Sequence, residues 1–299
     1  MYWLRDYKDK TARIFMLGIA IFVLATIAII GISLFVKSLP VLSEKNLLSL
    51  LTSKVWKPTK GEFGFLPFIM STVYVSVIAI LLSFPFSLLT SIYLTSYSSK
   101  AVKRIFEPVV DLLSGIPPVI YGVWGTLSIV PFISGKVAPH FVEFSTGYSV
   151  LAGGVVLAVM ITPLLISVMV EIFRSIPKEM IDASLSMGAT KWQTIKKVIL
   201  RRSLSGIVAA NVLALSRAFG ETMAVLMVCG NIPLIPHSFF DACYPLPALI
   251  ANNYGEMLSM PDYESALMLA AFLLFLIVVI FNGVSRLVLD QIEKRFQMV

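Results

Sequence analysis

Arg217 and Glu221 stand four residues apart inside an otherwise apolar run, 204–230. On a continuous helix that spacing puts both on one face, about 6 Å apart, as an ion pair. Ionised side chains are costly in a bilayer interior and face a bundle interior or an aqueous path. One use of such a pair is a salt bridge that pins helix packing. The other is a step in an anion path. Arginine carries a permanent charge and a planar fork suited to oxyanion oxygens. Glu221 would hold the fork and keep the site near neutral, so that an ion can enter and also leave.

A second constellation interrupts another apolar run. Ser114-Gly115-Ile116-Pro117-Pro118-Val119-Ile120-Tyr121-Gly122 lies within 108–133. Two prolines remove two backbone donors, so a straight helix cannot pass through them. Irregular backbone at membrane depth is tolerated only where protein buries it or where it lines a wet cavity. The stretch is either a kink relieved by neighbouring helices or a break beside a substrate path. In the latter case Gly115, Pro117, Pro118 and Tyr121 line the path. Asp111, just upstream, is expected to pair with a basic neighbour or cap a helix.

A third segment is polar yet patterned. Within 174–203, Pro177 suits a first helical turn. Met180, Ala183, Ser184 and Met187 follow at one-face helical spacing. Gly188 supplies a stop, and Thr190 with Gln193 forms a Thr-x-x-Gln capping box that restarts the helix. Trp192, Ile195 and Ile199 line its apolar side. An ordered polar loop in a membrane protein either lies on the membrane surface or is ordered because something docks on it.

The elements that position these residues are membrane spans. Of 299 residues, 58% are hydrophobic and 14% charged, whereas a soluble domain carries about a quarter charged. Six runs are long enough to cross a bilayer as helices, near 14–36, 68–96, 108–133, 149–173, 204–230 and 264–289. They form one membrane domain over 14–299, preceded by a short tail, 1–13. The first run is too long for the apolar region of a signal peptide and is read as a retained helix. Basic residues set the orientation. The N-terminus, the 97–107 loop, the 174–203 loop with Arg174, Lys178, Lys191, Lys196, Lys197, Arg201 and Arg202, and the C-terminus with Lys294 and Arg295 should be cytoplasmic. The 231–263 loop has no Lys or Arg and should lie outside. The 37–67 loop dissents with Lys37, Lys45, Lys54, Lys57 and Lys60, but an even number of spans places it outside too.

The motifs of nucleotide hydrolysis and metal chemistry are missing: there is no Gly-x-x-x-x-Gly-Lys loop, no His-Glu-x-x-His and no spaced Cys/His cluster. Energy for uphill transport would come from an ion gradient or another chain. Cys229 and Cys243 are read as free thiols, the alternative being a pair if both face an oxidising compartment. No cofactor, metal or nucleic-acid partner is expected.

The 182–200 segment resembles the EAA loop of ABC importer permeases. Asp182, Ala183, Ser184, Gly188, Val198 and Leu200 stand at the motif positions, with Asp for Glu, Ser for Ala, Val for Ile, and Arg201 where the motif has Pro. Arg217-Ala218-Phe219-Gly220-Glu221-Thr222-Met223-Ala224-Val225, then Gly230-Asn231, resembles the fifth-helix signature of phosphate permeases of the PstC type. The Gly-Ile-Pro-x-Val-x-Tyr-Gly pattern and Phe65-Leu66-Pro67-Phe68 do likewise. The resemblance implies an all-α, six-helix type I importer permease (MetI-like) in a prokaryotic inner membrane with both termini cytoplasmic. It implies a heterodimer with a PstA-like permease, a PstB-like ATPase pair that binds ATP and Mg, and a PstS-like phosphate-binding protein docking on the 37–67 and 231–263 loops. Asp182, Ala183, Ser184, Met187 and Gly188 would then belong to the coupling helix that fits a groove on the ATPase. Arg217, Glu221 and Thr222 would line the phosphate path, with Thr222 and Met223 favouring phosphate over other oxyanions. The alternatives are a molybdate, tungstate or sulfate permease of the same architecture, an ion-coupled secondary transporter and, third, a membrane enzyme. The absence of a catalytic constellation in the spans counts against the enzyme.

Overall fold

The computed structural model describes residues 2–255 and 261–297, with side chains for 10–255 and 261–291. In chain order the first half contains α1 (Tyr2–Glu44), α2 (Leu47–Thr52), the hairpin β1 (Trp56–Lys57) and β2 (Glu62–Phe63), α3 (Leu66–Ile92), α4 (Lys100–Ser114), α5 (Pro118–Trp124) and α6 (Val130–Phe132). The second half contains α7 (Val150–Arg174), α8 (Lys178–Ser186), α9 (Lys191–Thr194), α10 (Leu200–Arg202), α11 (Leu204–Phe219), α12 (Met223–Val228), α13 (Leu246–Asn253) and α14 (Pro261–Gln297).

Among the described residues, five helical stretches are long and apolar enough to cross a membrane: 10–44, 66–97, 118–140, 150–174 and 261–291. A bent pair, 191–202 and 204–219, which turns by 65° at Ser203, makes a sixth if the two are counted as one span. Four of the expected spans therefore stand much as the hydropathy placed them. The third and fifth do not.

The third span begins at Pro118 and runs to His140, about ten residues later than 108–133 suggests. Residues 100–114 form the separate helix α4. Pro117 is the extended residue before α5, and Pro118 takes its first turn. A proline there loses nothing, because the first helical N–H groups have no intrahelical partner. The two prolines start a span; they do not kink one. The described part of the expected N-terminal tail is helical, because α1 already runs from Tyr2. The side chains of Arg5, Lys8, Lys294 and Arg295 lie outside the described residues.

The centre of the molecule is α3 packed along α7. Small residues permit the approach: a Cβ on Gly154 would stand 2.4 Å from Ile78 Cγ2, and one on Gly153 would stand 3.2 Å from Val75 Cγ1. Ser87 and Ser91 then reach across to carbonyls of Thr162 and Ile166 at 3.4 and 3.3 Å. Small residues and hydroxyls are what hold helices together where lipid is as apolar as the side chains. α1 packs chiefly along α14, through Phe35 on Phe272 with ring centroids 5.4 Å apart.

Two of the five dissenting basic residues of 37–67 also find partners. α1 continues through Pro40 to Glu44, so Lys37 is helical and pairs with Glu264 at 3.5 Å. Lys45 lies 5.1 Å from the centroid of the Phe63 ring. The two segments expected outside join in one aromatic cluster. Trp56 meets Phe68 at 4.9 Å, and Phe68 meets Tyr244 at 5.3 Å. The backbone N–H groups of Tyr244 and Leu246 donate to Ser71 Oγ and Thr72 Oγ1 on α3 at 3.2 and 2.9 Å. Residues 256–260 of that region are outside the described residues.

Candidate functional site

The expected Arg217–Glu221 ion pair does not form. The i, i+4 argument assumes an unbroken helix, and α11 ends at Phe219. Glu221 and Thr222 are non-helical, and α12 starts at Met223. Each charge takes its own helix end instead. Arg217 lies in the last turn of α11, where the helix dipole favours a cation. Glu221, 8% exposed, accepts a hydrogen bond from Ala224 N–H at 3.2 Å on Oε1, satisfying a free donor of the first turn of α12. Arg217 makes no hydrogen bond or ion pair among the described residues, so its fork is unengaged. Thr222 Oγ1 donates to Gly220 O at 3.3 Å. A Gly followed by Glu-Thr is a stop and a start signal, and this is how the break could have been found in the sequence.

The proline break meets this one. Tyr121 on α5 is buried and lies within electrostatic reach of Arg217. Its hydroxyl donates to Leu113 O at 2.7 Å, so α5 ties back across Gly115–Pro117 to the end of α4. Gly122 allows α5 to press on α12: a Cβ there would stand 2.7 Å from Met227 Sδ and 3.3 Å from Ala224 Cα. Thr126 Oγ1 donates to Met227 O at 3.1 Å. The structure thus packs α5 against α12 and leaves Tyr121 within electrostatic reach of Arg217. Gly115 and Pro117 are exposed and Pro118 is half-buried. Asp111, contrary to expectation, has no side-chain partner among the described residues. Gly122 and Met227 were not anticipated as site residues; a glycine in a span facing a flexible methionine gives no signal until the two helices are docked.

The polar loop folds as its pattern predicts, with two adjustments. Pro177 is the residue just before α8 and not its first turn. Gly188 turns the chain at φ +83°, a conformation that costs other L-residues about 1–2 kcal/mol. The capping box is complete: Gln193 N–H donates to Thr190 Oγ1 at 3.3 Å, and Thr190 N–H donates to Gln193 Oε1 at 2.9 Å. Ile195 and Ile199 are buried, but Trp192 is 53% exposed and does not share their face. Met180, Ala183, Ser184, Met187 and Gly188 line one groove. Asp182 and Met187 are exposed, and Ser184 Oγ lies 3.0 Å from Thr194 Oγ1.

Cys229 and Cys243 are buried free thiols, joined through the backbone by Cys243 N–H donating to Cys229 O at 2.8 Å. The bend that brings them together runs through Gly230 and Asn231, with φ of +87° and +55°.

Known proteins share this arrangement. Residues 83–297 match the family described as binding-protein-dependent transport system inner membrane component. The chain is 36% identical over 256 residues to the probable ABC transporter permease protein YqgH of Bacillus subtilis, covering 84% of this chain and 81% of that one. It is 33% identical over 315 residues to the phosphate transport system permease protein PstC of Mesorhizobium japonicum, covering 97% and 96%. In fold it is similar to a chain of the inward-facing MetNI methionine ABC transporter, with a TM-score of 0.59 at 20% identity over 80% of this chain and 99% of that one. A bacterial alginate ABC transporter gives 0.55 at 16% identity, over 74% and 76%. The family match spans most of the chain, both broken helices included, and the chain therefore belongs to the inner-membrane components of binding-protein-dependent transport systems, as a multi-pass transport subunit and not an enzyme.

Proposed function

We propose that this chain is a permease subunit of an ATP-driven importer for inorganic phosphate. The observation that carries the reading is the unengaged guanidinium of Arg217 at the meeting of two helix breaks, beside Tyr121. A planar fork with free donors suits the oxygens of a phosphate-like anion. Glu221, spent on capping α12, stays close enough along the chain to limit the local positive charge. The similarity to PstC of Mesorhizobium japonicum supports phosphate as the anion.

In this reading the partners are a PstA-like permease, a PstB-like ATPase pair that binds ATP and Mg, and a PstS-like binding protein outside. Both termini and the 174–203 loop face the cytoplasm, as the basic residues argue. The exposed face of α8, with Asp182, Ala183, Ser184, Met187 and the turn at Gly188, contacts the ATPase. ATP closes the ATPase pair, α8 moves with it, and the pore turns outward. Phosphate passes Arg217 and Thr222, and hydrolysis resets the pore.

Uptake of labelled phosphate, with molybdate, tungstate and sulfate as competitors, tests the reading in cells expressing this chain with its native partners. ATP-dependent uptake that ignores the competitors is expected. Uptake blocked by molybdate or sulfate would move the substrate to those oxyanions and remove Thr222–Met223 as a discriminator.

A further inference from the structure

A cavity of about 330 Å³ lies under α8, among the turn after α3 (Thr95 and Ser96), the start of α4, the end of α7 and the 191–199 segment. Ile181 and Leu185 of α8 line it, whereas Met180, Ala183 and Met187 line the separate groove on the face read as contacting the ATPase. The two sites share one helix but not one face.

Four basic residues line this cavity, Lys103, Arg174, Lys178 and Lys191, and no carboxylate does. Arg174 is neutralised from next door by Glu107. The three lysines remain. Lys103 Nζ spends one of its three donors on Thr95 O at 3.3 Å. Lys191 Nζ stands 5.8 Å from the centroid of the Tyr97 ring, and Lys178 has no ion-pair partner among the described residues. Ser96 and Thr194 add hydroxyls to the wall, and the buried side chains of Phe173, Ile195 and Ile199 make the rest apolar.

Charge on the cytoplasmic side of a membrane protein accounts for lysines in this loop, but not for their convergence from three separate elements around one hollow. Like charges gathered over an apolar wall repel unless an anion joins them. Basic pockets between helix ends at the membrane surface suit phosphate headgroups, and lysine binds phosphate as a point charge.

We propose that this cavity binds a phosphate oxyanion, carried either by an anionic phospholipid headgroup or by the free ion. The bound anion would clamp α8 to the turn after α3 and the start of α4. The Ser184–Thr194 hydroxyl contact, 3.0 Å long, connects the clamp to the opposite face of α8. The inference goes beyond the transport reading and does not depend on Arg217.

The test uses the full chain with its co-purifying subunits in neutral detergent, in an Arg217→Gln background that silences the proposed path. Tm is followed against inorganic phosphate, over sodium chloride of matched ionic strength, and separately against phosphatidylglycerol, over phosphatidylcholine. A concentration-dependent rise in Tm is expected in at least one arm, as for any ligand that binds only the folded state. A rise in the phosphate arm alone assigns the free ion; a rise in the lipid arm alone assigns the headgroup. Lys103→Gln combined with Lys191→Gln should remove the rise, while the paired Lys→Arg changes keep it. If the double glutamine variant fails to assemble, each single variant should lower the rise. No rise in either arm, or an equal rise with and without the lysines, overturns the proposal.

Discussion

Two helix interruptions precede α5 and α12, which pack on each other, and they are built by opposite means. The one at Gly115–Pro118 is covalent: two prolines have no N–H to give and cannot rejoin α4 to α5 as one helix. The one at Gly220–Thr222 has no proline. Every residue in it keeps its donor, and hydrogen bonds hold it: Ala224 N–H donates to Glu221 Oε1, Thr222 Oγ1 to Gly220 O and Glu221 N–H to Ala218 O. The first break is fixed by covalent bonds and the second by hydrogen bonds worth about 1 kcal/mol each. In the proposed reading, the path past Arg217 has one wall that stays put and one that yields.

The largest effect should come from the residue between the walls. Arg217→Gln should reduce uptake to background while the subunits still co-purify. Normal uptake in that variant would remove the anion role and leave only the geometry. Next comes the contact that holds the walls together. Gly122→Val pushes a branched side chain toward Met227 Sδ, where even a Cβ would stand 2.7 Å away. It should destabilise the complex by about 1–3 kcal/mol, read as a lower Tm, and Met227→Ala should recover part of it. If Gly122→Val leaves Tm unchanged, α5 and α12 are not in firm contact and the two breaks are independent.

Gly188→Val lies away from both breaks and serves as the contrast. Its strain at φ +83° should cost about 1–2 kcal/mol locally and weaken ATPase co-purification or uncouple hydrolysis from uptake. Unchanged co-purification together with unchanged coupled uptake would reject the role of this turn. The smallest effects sharpen the comparison itself. Glu221→Ala should cost about 1 kcal/mol as a lost cap, and Glu221→Gln less, because an acceptor oxygen remains. Tyr121→Phe loses a bond of similar size to Leu113 O. On the fixed wall that loss should change Tm and spare uptake, whereas Glu221→Ala should change both. Equal losses of uptake from the two would erase the distinction between them.

The parts of this fold that depend on local chemistry were readable in the sequence. Gly188 and the Thr190–Gln193 box turned and restarted the chain where their chemistry predicts. The runs in α3, α7 and α14 were placed within about three residues of the apolar helical stretches, and α1 extends beyond its run at both ends. The failures came from assuming continuity. Hydropathy alone ran α4 into α5, because Val109, Leu112 and Leu113 look like span residues although they belong to a helix of their own. The same assumption drew 204–230 as one helix and produced an ion pair from spacing. Spacing places Trp192 on the buried face of Ile195 and Ile199, but in the first turn of α9 it is exposed while they are buried. What the sequence could not carry was which two breaks would touch, since that is decided by the packing of α5 on α12.

α1 carries a consequence for the bilayer itself. Its 43 residues, at about 1.5 Å each, extend roughly 65 Å, against a hydrocarbon core of about 30 Å. The surplus must be taken up by tilt or by overhang. Phe35 on Phe272 and Lys37 with Glu264 fasten α1 to α14 near one end, while most of its length presents side chains outward. A thinner membrane should lean α1 further over and draw α14 with it, so bilayer thickness enters the geometry of this subunit as a mechanical variable.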